Sequence, residues 1–415
     1  MSGSAARQGR NSRVDDGVTN ATANAAEAAA RASYGRLVAI LASRGRDIAA
    51  AEDALSDAFA KALTTWPANG VPANPQAWLL TTARNRLTDV QRRDARLVPE
   101  TDIPDMANLD PADFPDERLK LMFVCAHPAI DRAMHTPLML QTVLGVQASD
   151  IARAFALPPA AMAQRLVRAK SKIKDSGITF SIPDSTDLPA RLSAVTEAIY
   201  GAYALDWLQG GDALAGEALY LASLLTQLHR NDPEPFGLAA LIAFGQSRSS
   251  ARILNGVLVP THLQDTENWD HRLIDYATKM LGHAQSMGQI GRFQIEAAIQ
   301  SVHAHRANTS ETDWQAIAQL TTALHRLYPT LGSAVAQAAA IGRAQNAKAG
   351  LALLDQISAK QIKNFQPFHA TQAHLLVIDD QPQAAHAAYQ CALELCSDAP
   401  SRSYLARQIA NLVKI

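Results

Sequence analysis

Apolar residues recur at three- and four-residue steps along most of the chain after Glu27. The first such segment runs from Glu27 to Leu63, and its repeating positions are Leu37, Ile40, Leu41, Ala54, Leu55, Ala58, Phe59 and Leu63. This spacing places the apolar side chains on one side of an α-helix. Beyond residue 189 the helical pattern continues to the C-terminus, and no segment there shows a convincing alternation of apolar and polar residues, which is the pattern of a half-buried strand. The sequence therefore predicts an all-α fold.

The composition favours a globular chain and excludes several other classes. Hydrophobic residues make up 48% of the 415 residues and charged residues 19%, which is typical of globular domains. The apolar runs are shorter than the ~18–20 residues that cross a bilayer, so no membrane span is predicted. Three cysteines do not form a disulfide framework in a chain of this length. We expect a cytoplasmic protein of about two to four domains.

The net charge of −1 conceals a strong pattern along the chain. Residues 1–98 have 13 Lys and Arg and 9 Asp and Glu, a net charge of +4. Residues 99–117 have seven acids and no base, and residues 118–178 have nine bases and three acids. The remaining part, 179–415, has a net charge of −4. Two small basic modules are typical of a polyanion-binding protein, although basic helices that merely face solvent would give the same counts.

Prolines indicate where the domains begin and end. Residues 99–117 contain four prolines, which exclude a continuous helix and predict an acidic linker. Residues 66–75 contain three prolines and a glycine, which predict a loop, and residues 183–189 mark another boundary. The predicted organisation is a disordered N-terminus (1–24), a basic domain (25–98), the acidic linker (99–117), a second basic domain (118–180) and a C-terminal helical domain (188–415).

Residues 147–174 predict two short helices joined by a tight turn. The two prolines of Leu157-Pro158-Pro159 end the first helix, and Pro159 suits the first turn of the second. Four residues at helical spacing form the apolar face of that second helix: Met162, Leu166, Ala169 and Ile173. This arrangement is typical of a helix-turn-helix, whose second helix enters the major groove of DNA. The candidate DNA contacts are Ala160, Gln164, Arg165, Arg168, Lys170 and Lys172; a helical hairpin of a solenoid is the alternative.

These segments resemble the extracytoplasmic-function (ECF) sigma factors of bacterial RNA polymerase. AAAEDALSDAFAKAL at 49–63 and NPQAWLLTTARNRLTDVQRRDAR at 74–96 resemble region 2 of that family. CAHPA at 125–129 and the segment 153–174 resemble region 4. The long helical tail is similar to that of the subgroup with a C-terminal tetratricopeptide-like extension, and it carries a weak repeat of about 34 residues.

The resemblance implies a sigma factor, which is not an enzyme, that binds core RNA polymerase and promoter DNA. Region 2 would recognise the −10 element and region 4 the −35 element. The acidic helix of region 2 would bind the polymerase through Glu52, Asp53 and Asp57, although an internal pair between Asp53 and Arg86 is an alternative. The implied DNA contacts of region 2 are Asn74, Asn85, Arg92 and Arg93. The C-terminal domain would regulate initiation by intramolecular contact with the sigma regions or by binding a partner.

Some positions depart from the pattern of the subgroup. Pro159 and Ala161 stand where the turn before the recognition helix usually carries an acidic and a hydroxyl residue, which leaves the −35 preference open. A sigma-like helical adaptor without initiator activity is therefore an alternative function. The sequence contains no P-loop, dinucleotide fingerprint or metalloprotease motif. Cys125 and His127 have no second Cys/His pair nearby, so no metal site is predicted. Since the enzyme and cofactor motifs are also missing, no catalytic residue and no cofactor are predicted.

Overall fold

The computed structural model of the protein describes residues 33–94, 116–184, 186–209 and 213–413, without the side chains of 91–94, 207–209 and 213. The described chain is predominantly α-helical, which confirms the predicted fold class. It divides into two compact units between Gly201 and Ala202. The predicted disordered N-terminus and residues 99–115 of the acidic linker lie outside the described residues.

The first unit consists of seven described helices and the beginning of an eighth. The first, α1, covers 33–45 in the described residues. The others are α2 (Ile48–Asn69), α3 (Pro75–Asp94), α4 (Arg118–Cys125), α5 (Arg132–Thr142), α6 (Ala148–Ala154), α7 (Pro159–Asp175) and α8 (Leu188–Gln209). Helix α2 packs against α3 and α7, and α5 packs against α4, α6 and α7. Their largest buried side chains include Trp66, Phe123, Leu37, Ile48, Leu55, Leu79, Leu121 and Leu138.

The described part of the helical pattern from Glu27 to Leu63, residues 33–63, belongs to two helices, not one. Arg46 has a positive φ of 53°, a conformation that a continuous right-handed helix does not contain. The Asp47 side chain then caps α2 by accepting a hydrogen bond from the backbone N–H of Ala50 at 3.0 Å. A residue with a short polar side chain at this position satisfies one of the free N–H groups of the first turn.

The predicted loop at 66–75 is shorter in the structure. Helix α2 continues through Pro67 to Asn69, and Gly70, with φ of 82°, donates its N–H to the carbonyl of Trp66 at 2.8 Å. Trp66 is 2% exposed, and its ring meets the ring of Trp78 edge to face at 5.5 Å. This apolar contact holds the last turn of α2 in place, so only 70–74 connect α2 to α3.

The second unit contains the end of α8 and a succession of further helices. They are α9 (Ala213–Leu228), α10 (Pro233–Gln246), α11 (Ser249–Arg252), α12 (His271–Ser286), α13 (Arg292–Thr309), α14 (Trp314–Leu327), α15 (Leu331–Ala344), α16 (Ala347–Leu354), α17 (Ala359–Ile362), α18 (Gln366–Ile378), α19 (Pro382–Leu395) and α20 (Ala399–Leu412). Helix α10 packs against α9, α12 and α13. From α13 onward each long helix packs against the next, so the unit is built from neighbouring contacts along the chain.

A two-stranded hairpin interrupts this succession. Strand β1 (Ile253–Leu254) pairs antiparallel with β2 (Val257–Leu258), and β2 packs against α20. The two turn residues, Asn255 and Gly256, have positive φ angles of 52° and 75°. An Asn-Gly pair between apolar residues is a strong hairpin signal. The two strands have only two residues each, which is too short to show an alternating pattern in the sequence.

None of the helices in the described ranges is long and apolar enough to cross a membrane.

Candidate nucleic-acid interface

Helix α7 has one buried face and one exposed face, as the sequence predicts. Pro159 occupies its first turn, where its missing N–H costs no helical hydrogen bond. The apolar face is buried through Met162, Leu166, Ala169 and Ile173. On the rest of the surface, five of the six predicted DNA contacts are exposed: Ala160, Gln164, Arg165, Arg168 and Lys172.

Helix α6 and the turn after it present α7 to solvent. Ile151 and Ala152 are buried and pack α6 against α7. The turn closes through a hydrogen bond from the N–H of Leu157 to the carbonyl of Ala152 at 2.9 Å, and Ala156 has a positive φ of 51°. Because the turn is fixed by backbone hydrogen bonds, the exposed side of α7 projects from a defined position.

The exposed cations of α7 lie beside a groove of about 450 Å3 between α5 and α7. Arg165, Arg168 and Lys172 line it together with Asp131. None of the three forms an ion pair with a described residue, and Arg168 donates only a long hydrogen bond of 3.4 Å to the carbonyl of Gln164. Their charges are therefore available to a phosphate backbone or a base edge.

Lys170 differs from the other predicted DNA contacts because it is buried. Its Nζ atom lies 2.5 Å from Oε2 of Glu52 on α2, with side-chain exposures of 9% and 15%. Burial raises the pKa of the Glu52 carboxyl, and the charge of Lys170 opposes part of that rise. Both residues were predicted as binding residues for other molecules, and here they bind each other.

A second ion pair joins the same two helices. Nζ of Lys174 lies 2.9 Å from Oδ2 of Asp47, the residue that caps α2. Burial raises the pKa of Asp47, but hydrogen bonds from Lys174 and from the backbone N–H of Ala50 outweigh it, so the net pKa is lowered. Sequence analysis did not single out this pair, because 127 residues separate its partners and no local pattern connects them.

The remaining acidic residues of α2 lie on its outer surface. Asp53 is exposed and has no ion pair with any residue in the described ranges. Asp57 accepts a hydrogen bond from Nε of Arg86 at 2.7 Å, with both side chains about half exposed. Asp57, and not Asp53, is therefore the internal partner of Arg86.

The predicted DNA contacts of the first basic domain are spread along α3 and the loop before it. Asn74 caps α3, since its Oδ1 atom accepts a hydrogen bond from the N–H of Ala77 at 3.0 Å. Asn85 is exposed on α3. Arg92 and Arg93 belong to the last turn of α3, and their side chains lie outside the described residues.

Two residues considered for metal binding have other surroundings. Cys125 is completely buried, and burial raises the pKa of its thiol to about 12. Its Sγ atom contacts Oγ1 of Thr142 at 3.6 Å. His127 accepts a hydrogen bond at Nδ1 from the N–H of Ala129 at 3.1 Å. In the part of the chain that the structure describes, no group of three or more His, Cys, Asp and Glu residues could hold a metal ion.

Comparison with known proteins identifies the first basic domain. Residues 29–97, which include α2 and α3, match the family model described as Sigma-70 region 2. This match supports a sigma-70 family member. Region 2 implies a sigma-factor-like role in transcription, with binding to core RNA polymerase and to promoter DNA in general. Proteins of the sigma-70 family are not enzymes.

Other parts of the chain also match known proteins. Residues 191–285 match the model of a family of unknown function, DUF6596. An uncharacterized protein of Rhizobium meliloti (strain 1021) is 34% identical over 385 residues, which cover 88% of this chain and 91% of that protein. The two proteins thus share a family over nearly their whole lengths. No solved structure matches the chain.

Proposed function

We propose that this protein is an ECF-type sigma factor that directs core RNA polymerase to specific promoters. Region 2 recognises the −10 element, and the helix-turn-helix formed by α6 and α7 recognises the −35 element as region 4. The C-terminal tetratricopeptide-like domain regulates initiation. The proposal rests on the match of 29–97 to Sigma-70 region 2.

The surface of α7 supports the assignment of region 4. Gln164 and Arg168 lie one turn apart on its exposed side. In the major groove, Arg pairs bidentately with guanine and Gln with adenine, and each pair discriminates by about 1–3 kcal/mol. Arg165 and Lys172 lie on the flanks, where they contact phosphates and position the helix. Ala160, at the start of α7, leaves room for the DNA backbone.

The surface of α2 and α3 supports two roles for region 2. Asp53 is the acidic residue whose charge no described partner neutralises, so it is the main polymerase contact, with Glu52 and Asp57 beside it. An exposed acidic helix suits a basic partner surface. Asn85, Arg92 and Arg93 follow one another along α3 toward its end, and these residues hold the opened −10 strand together with Asn74.

Run-off transcription with core polymerase tests this function. We expect the full chain to bind core and to produce a promoter-specific transcript, and the double variant Gln164→Ala/Arg168→Ala to lose at least tenfold of that transcript while it still binds core. Arg326→Ala is the matched control, because it removes an exposed arginine from α14. Core binding without any specific transcript would contradict the proposal and indicate an adaptor.

The regulatory role of the C-terminal domain needs a truncation that leaves α8 intact. Leu192, Val195 and Ile199 of α8 are buried and belong to the first unit, so a chain that ends at residue 183 would lose part of that core. A chain that ends after Gln209 retains it. We expect its transcript level to differ from that of the full chain; equal output, with the helical content of the first unit verified by circular dichroism, would contradict a regulatory role.

A further inference from the structure

Six basic side chains meet inside the second unit. They are Arg248 after α10, His262 in the segment between β2 and α12, His303 and Arg306 on α13, Arg343 on α15 and His374 on α18. Here this group is called the basic cluster. Arg248 is 4% exposed, and the other five are partly exposed. The charges of the three arginines inside one helical domain require a physical explanation, because their mutual repulsion opposes folding.

Two of the arginines, Arg248 and Arg306, contact the same indole ring, that of Trp269. The guanidinium carbon of Arg306 lies 5.1 Å from the ring centroid of Trp269, and that of Arg248 lies 5.9 Å from it. Trp269 is 3% exposed, and its Nε1 atom donates to Oε1 of Gln264 at 3.2 Å. Arg306 also donates to the carbonyls of Thr261 and Gln264. The segment before α12 is thereby fixed against α13.

The third arginine, Arg343, contacts a different indole ring, that of Trp314. The guanidinium carbon of Arg343 lies 5.1 Å from the ring centroid of Trp314, and its Nη2 atom lies 3.2 Å from Nε2 of His262. His303, one turn before Arg306 on α13, meets the Trp314 ring edge to face at 5.8 Å. The two arginine–indole groups are therefore linked through one face of α13.

Acidic partners are nearly missing from this cluster. None of its three arginines forms an ion pair with a residue in the described ranges, and the only carboxylate that acts on any of them is Asp265, beside Arg306. Nη2 of Arg248 donates to Oε1 of Gln300, but four buried nitrogen atoms have no hydrogen-bond partner among the described residues: Nη1 of Arg248, Nδ1 of His303, Nε of Arg306 and Nε2 of His374. Buried cations and donors without partners are costly, and a bound anion would remove that cost.

We propose that the basic cluster is a binding site for a small polyanion, a metabolite that carries two or more phosphate or carboxylate groups. Arginine presents a planar fork of N–H donors that matches the geometry of both groups. Arg248 and Arg306 contact the ring of Trp269, whereas Arg343 contacts the ring of Trp314. The site therefore has two cationic centres, which favours a ligand with more than one anionic group.

The histidines and the neighbouring groove suit such a ligand. Burial, together with the nearby arginines, lowers the pKa of His262, His303 and His374 to about 4. They are therefore neutral at pH 7 and can each donate one hydrogen bond to an anion. Trp314 and Arg343 also line a groove of about 1040 Å3 next to α12 and α13, and Asp275, Glu311 and Asp313 line it as well. Because these carboxylates would repel the anionic groups, the groove suits only the uncharged or cationic part of a metabolite.

Titration calorimetry on the full chain tests the proposal, with tripolyphosphate as the phosphate probe and citrate as the carboxylate probe at constant ionic strength. We expect saturable binding of at least one probe with one site per chain. Arg343→Gln, in a partly exposed residue, should weaken that binding at least tenfold. Arg326→Gln on α14 removes an exposed arginine of the same unit and should leave the affinity unchanged. Binding of neither probe, or equal affinities for these two variants, would overturn the proposal.

A second variant separates ligand binding from a purely structural role. Arg248→Met removes the most buried cation of the cluster. If the cluster is an anion site, the ligand-free variant should melt at the same temperature as the wild type or higher, because relief of the uncompensated buried charge outweighs the lost hydrogen bond to Gln300 and the lost contact with Trp269. A ligand that binds the folded state raises the melting temperature by mass action. A saturating probe should therefore raise the melting temperature of the wild type, and Arg248→Met should lose this increase. A lower melting temperature with unchanged stabilisation by the probe would overturn the proposal.

Discussion

Lys170 on α7 and Glu52 on α2 form a largely buried ion pair, although 118 residues separate them in sequence. With Lys174 and Asp47, it joins the helix proposed for the −35 element to the helix proposed for the polymerase. The charges of Glu52 and Lys170 neutralise each other in this arrangement. They reach polymerase or DNA only if α2 and α7 separate, whereas Asp53 and Arg168 are exposed already.

The pair should contribute strongly to the stability of the first unit. Glu52→Gln leaves the charge of Lys170 buried without a counter-ion, and breaking a buried pair in this way typically costs about 3–5 kcal/mol. We expect the free energy of unfolding, measured by urea denaturation, to fall accordingly. Lys172→Gln is the control, since Lys172 is exposed on the same helix, and its effect should stay within about 0.5 kcal/mol. Similar losses in the two variants would contradict this prediction.

The face of α7 could be predicted from sequence because it depends on local spacing. Met162, Leu166, Ala169 and Ile173 recur at helical intervals, and all four are buried. Pro159 marks the start of the helix by its own covalent geometry. The burial of Lys170 could not be predicted in this way, because its position relative to Ala169 and Ile173 suits either a flank or a core edge. Lys170 is buried because it forms an ion pair with Glu52 on α2, a contact that the local sequence does not reveal.

The basic cluster shows the same limit over a longer range. His303 and Arg306 have no local signal beyond their spacing on one helix. Arg248, Arg343 and His374 come from three other elements, and only the packing of successive helices brings them together. The hairpin is different, since Asn255-Gly256 is a local signal that sequence analysis could have used.

Gly35 should be essential to the packing of α1. It is buried, and a Cβ atom added there would overlap the backbone carbonyl oxygen of Val143 after α5. Because backbone cannot move as a side chain does, Gly35→Ala should lower the free energy of unfolding by about 1–3 kcal/mol or more. Gly201→Ala is the control: its Cβ would meet only Cγ2 of Thr136 at 3.7 Å. That variant should be neutral or more stable, by up to about 1 kcal/mol, because alanine favours the helix. Equal effects would show that α1 does not approach Val143 closely.

Lys172 should contribute affinity for DNA without contributing sequence preference. An exposed lysine that contacts a phosphate releases about one counter-ion on binding. We therefore expect Lys172→Ala to weaken binding to promoter and to unrelated duplexes by the same factor, and to reduce the salt slope of log K by about 1. Gln164→Ala should instead weaken promoter binding selectively and leave the slope unchanged. Binding isotherms at three salt concentrations distinguish these outcomes, and a selective loss in Lys172→Ala would contradict its assignment to phosphate.

His303 should make the second unit sensitive to acid. Burial and the charges of Arg248, His262 and Arg306 lower its pKa to about 4, whereas an unfolded histidine titrates near ~6.5. Between these values the unfolded chain binds the proton more tightly, so the stability present above pH 6.5 is lost as the pH falls toward 4. For one histidine the loss between pH 7 and pH 5 is about 2 kcal/mol. We expect His303→Gln to reduce the fall in the urea midpoint over this range, measured by tryptophan fluorescence. His305→Gln, two residues away and exposed, should retain the full fall; if both variants keep it, the acid sensitivity does not originate at His303.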